Sequence, residues 1–444
     1  MSAGQSKVTF SYINRLALPA IIAGIAEPLL SITDTAIVGN IDNHATEALA
    51  AVGIAGSFLS ALVWILAQTR SAISAIIAQY LGANRLNEIK TMPAQIIGIN
   101  LLASLVLYVS TVVFAEFIFT LYNAKGLILN YAVDYYKIRA LGLPLTLFVF
   151  SIFGVFRGLQ NTFWPMVISI VGAMINIVLD FVLVFGIEGL IPPLNIKGAA
   201  WASLIAQGIM AVMAVVLLLK RTPFNFRFIW PLNKEINRLL MLSFNLFIRA
   251  AALNIALYFA NAYATKYGEN YIAAQTIAFQ IWLFFAFFID GYSSVGNIVS
   301  GRLLGEKDYK KLWYLSIDLS KYAAVVAVVL GIICFSGYGF IGHLFTDDPM
   351  VLKAFYSVFW IVLLMQPINA IAFVFDGLFK GLAEAVTLRN TLLIATFVGF
   401  IPVLLIGDYL GLKLYGIWIA FTVWMLLRSG ILVIKFRKKY LEKA

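Results

Sequence analysis

Two carboxylates in this chain sit inside runs of hydrocarbon length. Asp34 lies within LLSITDTAIVGNID (Leu29–Asp42) and Asp180 within MINIVLDFVLVFG (Met174–Gly186). An ionised carboxylate in an apolar interior is strongly disfavoured unless something answers its charge. Asn176 stands one helical turn before Asp180 and shares its face. Ser203, in KGAAWASLIAQ, follows a run of small residues (Gly198, Ala199, Ala200, Ala202) that lets a neighbouring helix approach closely. Counted from the outer ends of their segments, Asp34, Asp180 and Ser203 lie at depths of roughly 7–9 Å. Four polar side chains from three helices therefore converge on one level. Two carboxylates with an amide and a hydroxyl make an oxygen-rich pocket that suits a proton. It also suits a Na⁺ ion held by Asp34, Asn176 and Asp180. The alternative is structural, with each acid simply hydrogen-bonded to a neighbouring helix.

The second half of the chain carries a different set. Leu257 stands where Asp34 would be expected from the internal repeat described below, and the charges there are Arg249, Asp290 and Asp376. Arg249 is expected to pair with Asp290 or Asp376, as a static ion pair or a gate on the cytoplasmic side. Arg70, Arg157 and Lys380 sit at inner helix ends and are expected to snorkel to the interface. In YAVDYYKIRALGLP, Asp134 and Lys137 are one turn apart and read as an interfacial pair, and Tyr135 and Tyr136 read as an outer aromatic belt. Tyr136 and Arg139 are also candidates for the pocket, and Pro28 is a candidate hinge beneath Asp34. His44 reads as a solvated loop residue.

Composition sets the frame for these residues. The chain has 444 residues, 62% hydrophobic and only 12% charged, with a mean hydropathy of +0.93, where soluble proteins carry about 25% charge. This is an integral membrane protein. The net charge of +11 comes from short loops and the C-terminal region, so it does not point to nucleic acid. The histidines are His44 and His343 and the one cysteine is Cys334, which argues against a His/Cys metal site. No nucleotide-binding glycine loop is present. The residues imply no cofactor and no enzyme chemistry, and a coupling ion that is H⁺ or Na⁺.

Twelve apolar segments, from 14–38 to 413–435, reach the length of about 20 residues that a span requires. The first is read as an uncleaved span. Lys and Arg concentrate in alternate connections, around Arg85–Lys90, Lys220–Arg238, Arg302–Lys311 and Lys380–Arg389, and again after Lys435. The bias places both termini in the cytoplasm. The chain also repeats itself at an offset of 223 residues. Gly82 falls on Gly305, Pro144 on Pro367, and GVFRGL (Gly154–Leu159) on GLFKGL (Gly377–Leu382). An even number of spans per repeat means both halves insert the same way up. The expected architecture is all-α: twelve transmembrane helices in two pseudo-symmetric six-helix lobes. These are residues 1–219 and 236–444, joined by a basic cytoplasmic linker at 220–235.

These stretches together resemble the multidrug and toxic compound extrusion (MATE) transporters of the DinF-like branch. The likeness rests on TDTAIVGNID with EALAAVGIAG, YLGANRLNE, YYKIRALGLP, FGVFRGLQNT, INIVLDFVLVFG with KGAAWAS, FFIDGYSSVGNIVSGRLLGEKD and VFDGLFKGLAEAVTLRN. The resemblance implies a monomeric secondary exporter of small organic, often cationic or amphipathic compounds, set in the lipid bilayer of the cell membrane. It implies that Asp34 and Asp180 carry the coupling ion, with Asn176 as companion and Ser203 where threonine also occurs. A lipid-linked precursor flippase of the same wider superfamily is the alternative.

The charge bias is directly testable. Reporter fusions within 220–234 and after Lys439 should read cytoplasmic, and one after Asn43 external. A periplasmic signal from residue 225 would remove both the orientation and the parallel repeat.

Overall fold

The structure is a computed structural model that describes residues 7–41 and 45–442. Inside helices, the side chains of residues 27–32, 35 and 45 lie outside the description. The described residues are helical throughout apart from connections and one isolated bridge between Ile187 and Ile191.

The helices are α1 (Phe10–Val38), α2 (Thr46–Gly82), α3 (Leu86–Val113), α5 (Phe163–Phe185) and α6 (Asn195–Arg221). They continue with α7 (Glu235–Tyr267), α8 (Glu269–Glu306), α9 (Tyr309–Ser336), α11 (Ala385–Tyr409) and α12 (Leu414–Leu441). Two spans are broken: α4 (Gly126–Arg139 and Gly142–Gly158) bends by 43°, and α10 (Pro349–Leu364 and Gln366–Gly381) by 52°. Among the described residues eleven of these are long and apolar enough to cross a membrane when each broken pair counts as one span, and α1, whose apolar part is Phe10–Ala26, falls at the first expected segment. Pro144 and Pro367, related by the repeat, sit in the first turn of each inner half. A proline is tolerated there because its missing N–H had no helical partner to lose. The exterior is rich in exposed Leu, Val, Ile and Phe, as a lipid-facing surface must be.

The chain divides into two compact units. The amino-terminal unit comprises Ile22–Ile77 and Arg85–Leu239. The carboxyl-terminal unit comprises Leu240–Ala444 with Met1–Ile21 and Ala78–Asn84. Within the first, the linker segment is anchored rather than loose. The buried Gln95 amide donates to the carbonyls of Ile229 (2.6 Å) and Pro231 (3.1 Å), and its oxygen accepts from the Asn233 backbone (2.8 Å). Phe226 stacks on Phe148, their centroids 5.8 Å apart.

The repeat reappears as matched backbone contacts. A methyl group on Gly154 would stand 2.8 Å from the Arg70 carbonyl oxygen, and one on Gly377 2.0 Å from that of Ser293. One turn later Gly158 meets Ile77 and Ser74, while Gly381 meets Asn297 and Ser300. Every partner in the second set is the partner in the first set plus 223. Inside the carboxyl-terminal unit a reciprocal pair occurs: a methyl group on Gly82 would run into the Arg302 carbonyl oxygen, and one on Gly305 into that of Gln79. The glycines of GVFRGL and GLFKGL are therefore where the inner half of α4 lies against α2, and that of α10 against α8. The absence of a side chain lets the backbones touch.

Those contacts predict a sharp contrast. Gly377→Ala must displace a helix and should cost about 1–3 kcal/mol. Gly331→Ala on α9 meets open space and should be neutral or stabilising by up to about 1 kcal/mol. Thermal unfolding of the purified proteins reads the difference, and equal behaviour of the two variants would refute the contact argument.

Candidate functional site

In the amino-terminal unit, α1, α5 and α6 bring the four expected residues together. The α5–α6 connection is tight: the Leu194 N–H donates to the Leu183 carbonyl at 2.9 Å. Gly198 lies so close to Leu183 that a methyl there would come within 2.4 Å of its oxygen. That approach carries Ser203 to the face of α5 bearing Asn176 and Asp180.

The Asn176 amide donates to Asp180 Oδ2 at 3.1 Å and lies 3.5 Å from Ser203 Oγ. Ser203 Oγ donates to Asp34 Oδ2 at 3.2 Å. Asp180 is fully buried, and Asp34, Asn176 and Ser203 are nearly so. The two carboxyl groups lie within electrostatic range of each other. The Oδ1 atoms of Asp34 and Asp180 are buried and accept no hydrogen bond within the described structure. Two ionised carboxylates facing each other in a dry interior repel strongly. One proton shared between them, or one cation held by their oxygens, removes that repulsion, and the arrangement can do either.

The surroundings differ in places from the sequence reading. Asp134 pairs with Lys197 at the start of α6 (3.0 Å) rather than with Lys137, because α4 and α6 pack side by side. Tyr135 and Tyr136 are buried instead of forming an interfacial belt, since the outer half of α4 lies between α2 and α6. Tyr136 packs between Phe58 and Phe119, with centroids at 5.6 and 5.3 Å. Its neighbour Tyr135 lies within electrostatic range of both Asp34 and Asp180 and beside Arg139. Arg139 also acts on Asp180. The sequence reading places Tyr135 only in the aromatic belt and not among the pocket candidates, although its i, i+4 spacing to Arg139 was visible. Pro28 lies within α1, but its side chain is among those outside the description, and His44 is likewise outside the described residues.

The carboxyl-terminal unit has a second charge cluster. Arg249 grips Asp376 with both ends of its fork: Nε donates to Oδ1 at 3.1 Å and Nη2 donates to Oδ2. Lys380 lies 3.2 Å from the same carboxylate and Arg428 3.7 Å. Lys380 therefore turns inward and does not snorkel, because Asp376 is one turn away on its own helix. Arg157 is buried too. Asp290 is exposed and makes no ion pair among the described residues, although it acts electrostatically on Lys380. The sequence reading missed Arg428, whose only signal was an arginine one turn beyond Trp424 in an apolar span. Among the described residues no group of three or more His, Cys, Asp or Glu side chains is placed to hold a metal ion.

A model of the family described as MatE matches the chain twice, over residues 19–182 and 246–410. The chain is similar to DNA damage-inducible protein F of Escherichia coli strain K12, with 27% identity over 435 residues, 96% of this chain and 91% of that protein. It is also similar to Protein DETOXIFICATION 42 of Arabidopsis thaliana, with 28% identity over 298 residues, 67% of this chain. The match spans only 56% of that plant protein's length. Among solved structures, a MATE protein crystallised in the bent conformation superimposes with a TM-score of 0.90 at 20% identity, covering 97% of this chain and 95% of the other. This likeness shows the fold.

The two acids of the second half should behave unequally. Asp376→Asn leaves three buried cations without their counter-charge and should cost about 3–5 kcal/mol. Asp290→Asn should change stability by no more than about 0.5 kcal/mol. Unfolding in detergent measures both, and comparable losses would mean that Asp290 has a structural partner of equal weight.

Proposed function

The chain belongs to the MatE family, and from that premise we propose that it is a secondary exporter of small amphipathic organic compounds, cations among them. In this reading it is driven by inward movement of H⁺ through the Asp34–Asp180 pocket. It sits in the cytoplasmic membrane with both termini inside. The observation that carries the reading is the Ser203 hydrogen bond, which ties Asp34 on α1 to the Asn176–Asp180 pair on α5. The pocket spans helices that can move against one another, and its charge depends on a single exchangeable ion.

The cycle follows from electrostatics. With the pair ionised, the pocket favours a cation. Protonation from the outside removes the charge, α1 repacks by bending near Pro28, and the bound compound is released outward. Loss of the proton to the cytoplasm restores the charge. A membrane potential of 100 mV supplies about 2.3 kcal/mol per charge moved, and one pH unit adds about 1.4 kcal/mol. One proton therefore sustains modest concentrative export. Na⁺ is the rival ion, with Asn176 and Ser203 completing its oxygen shell.

Efflux from proteoliposomes under separately imposed pH and Na⁺ gradients tests the reading. A response to the Na⁺ gradient alone would replace the proton. Asp34→Asn should fold with equal or greater stability, because it keeps the volume and removes a buried charge. It should lose gradient-driven efflux while retaining compound binding. Asp180→Asn should act in the same direction, and the double variant should be little worse than either. Wild-type efflux from a well-folded Asp34→Asn protein would return the acid to a structural role.

A further inference from the structure

The connection between α6 and α7 is built rather than slack. Residues 222–234 are not helical, yet their backbone is fastened at both ends. Thr222 Oγ1 donates to the Leu218 carbonyl (2.8 Å) and accepts from the Phe224 N–H (3.3 Å). At the other end the buried Gln95 side chain holds the backbone of Ile229, Pro231 and Asn233, and the Asn233 amide donates to the Glu88 carbonyl at 2.8 Å. Between them Phe224 is buried and Phe226 stacks on Phe148. Connections are ordinarily polar and mobile. This one is held in place while Phe228, Ile229, Trp230 and Leu232 stay exposed, Trp230 by 73%. A fixed apolar patch of this kind is costly in water and marks a surface that something else covers.

Its position says what that cover is. The patch lies against the end of α3 nearest the linker, where a methyl group on Gly98 would stand 3.3 Å from the Phe228 ring. Along α3, Leu102, Leu105 and Val109 follow Gly98 at helical spacing on one face, and all three are exposed. That stripe faces lipid. The linker patch continues it to the membrane–water boundary, the level at which tryptophan concentrates. Cations surround the same boundary: Lys90, Lys220, Arg221, Arg227 and Lys234 are exposed. The acids of these segments are already answered, Glu88 by Arg85 (2.5 Å) and Glu235 by Arg238 (3.1 Å). Lys220 and Arg227 have no ion-pair partner among the described residues. Apolar side chains level with the acyl chains, an interfacial tryptophan and unanswered cations together match a leaflet of anionic phospholipid.

We propose that residues 224–234 form an interfacial anchor that binds anionic phospholipid. Phe228, Ile229, Trp230 and Leu232 seat among the upper acyl chains, and Arg227 and Lys220 meet the phosphates. Gln95 is the positioning residue, because its three bonds hold the patch at that depth. The site lies wholly within the amino-terminal unit and uses neither Asp34 nor Asp180. It rests on the proposed orientation only for the leaflet, which is then the cytoplasmic one.

The test places the full chain in lipid nanodiscs, one copy per disc, so that no second copy can cover the patch. In a Cys334→Ser background, Leu232→Cys carries a fluorophore. Quenching by aqueous iodide reports water, and quenching by a nitroxide near the headgroup end of an acyl chain reports lipid. The label should be shielded from iodide relative to the same dye on free cysteine, and Trp230→Ser should reduce that shielding. With the nitroxide carried by phosphatidylglycerol or by phosphatidylcholine, the ratio of quenching gives the relative association of the two lipids. The wild type should prefer phosphatidylglycerol, and Arg227→Gln and Lys220→Gln should each lower the preference by about fivefold. Both side chains are exposed, so the variants should fold. Iodide quenching equal to that of the free dye, equal association of the two lipids, or an unchanged preference in both variants would each overturn the anchor. Gradient-driven efflux from the same proteins separates the two readings. Efflux without a lipid preference removes the anchor and leaves the exporter, and a lipid preference without efflux does the reverse.

Discussion

A charge that enters the membrane interior must be answered inside the protein, since no water is available there to do so. Much of what distinguishes the two halves of this chain follows from how each meets that demand. The amino-terminal unit buries two carboxylates, joined by hydrogen bonds to an amide and a hydroxyl. The carboxyl-terminal unit buries three cations around one acid. One interior is dominated by acids and the other by cations.

The scaffold beneath these opposite interiors is the same. In each unit the inner half of a broken helix lies against a long neighbour, and glycines one turn apart sit where the backbones touch. The breaks fall just before equivalent prolines. A span broken in mid-membrane leaves carbonyls and N–H groups that the surrounding helices must accommodate. At the breaks the chain keeps local bonds, the Leu143 N–H donating to the Ala140 carbonyl and the Asn369 N–H to that of Met365. The scaffold thus fixes depth and spacing, while a few side chains on it decide the sign of the charge.

The fold was legible because its signals are local. Segment length, the basic connections and the 223-residue offset can all be read without knowing which helix faces which. The acid pocket was legible for a related reason. Asn176 and Asp180 share a face by their spacing alone, and depth counted along α1 and α6 placed Asp34 and Ser203 beside them. What could not be read is what depends on rotation about a helix axis. Lys137 and Lys197 were both within reach of Asp134, and only the packing of α4 on α6 chooses Lys197. Lys380 stands at a helix end, where a long cationic side chain can turn to the interface or inward, and it turns inward to Asp376. Tyr135 and Arg428 belong with these cases, because their partners come from distant segments.

The glycine contacts also bear on how a duplicated gene ages. After duplication the two copies drift apart, and side chains facing lipid or a pocket are free to diverge, as Asp34 and Leu257 have. A position whose neighbour is a backbone carbonyl has no such freedom, because the partner cannot be mutated to make room. Gly154 and Gly377, Gly158 and Gly381, and Gly82 and Gly305 remain identical for that reason. The memory of the ancestral half-protein is kept where side chains are missing, and those sites form a clock that does not run.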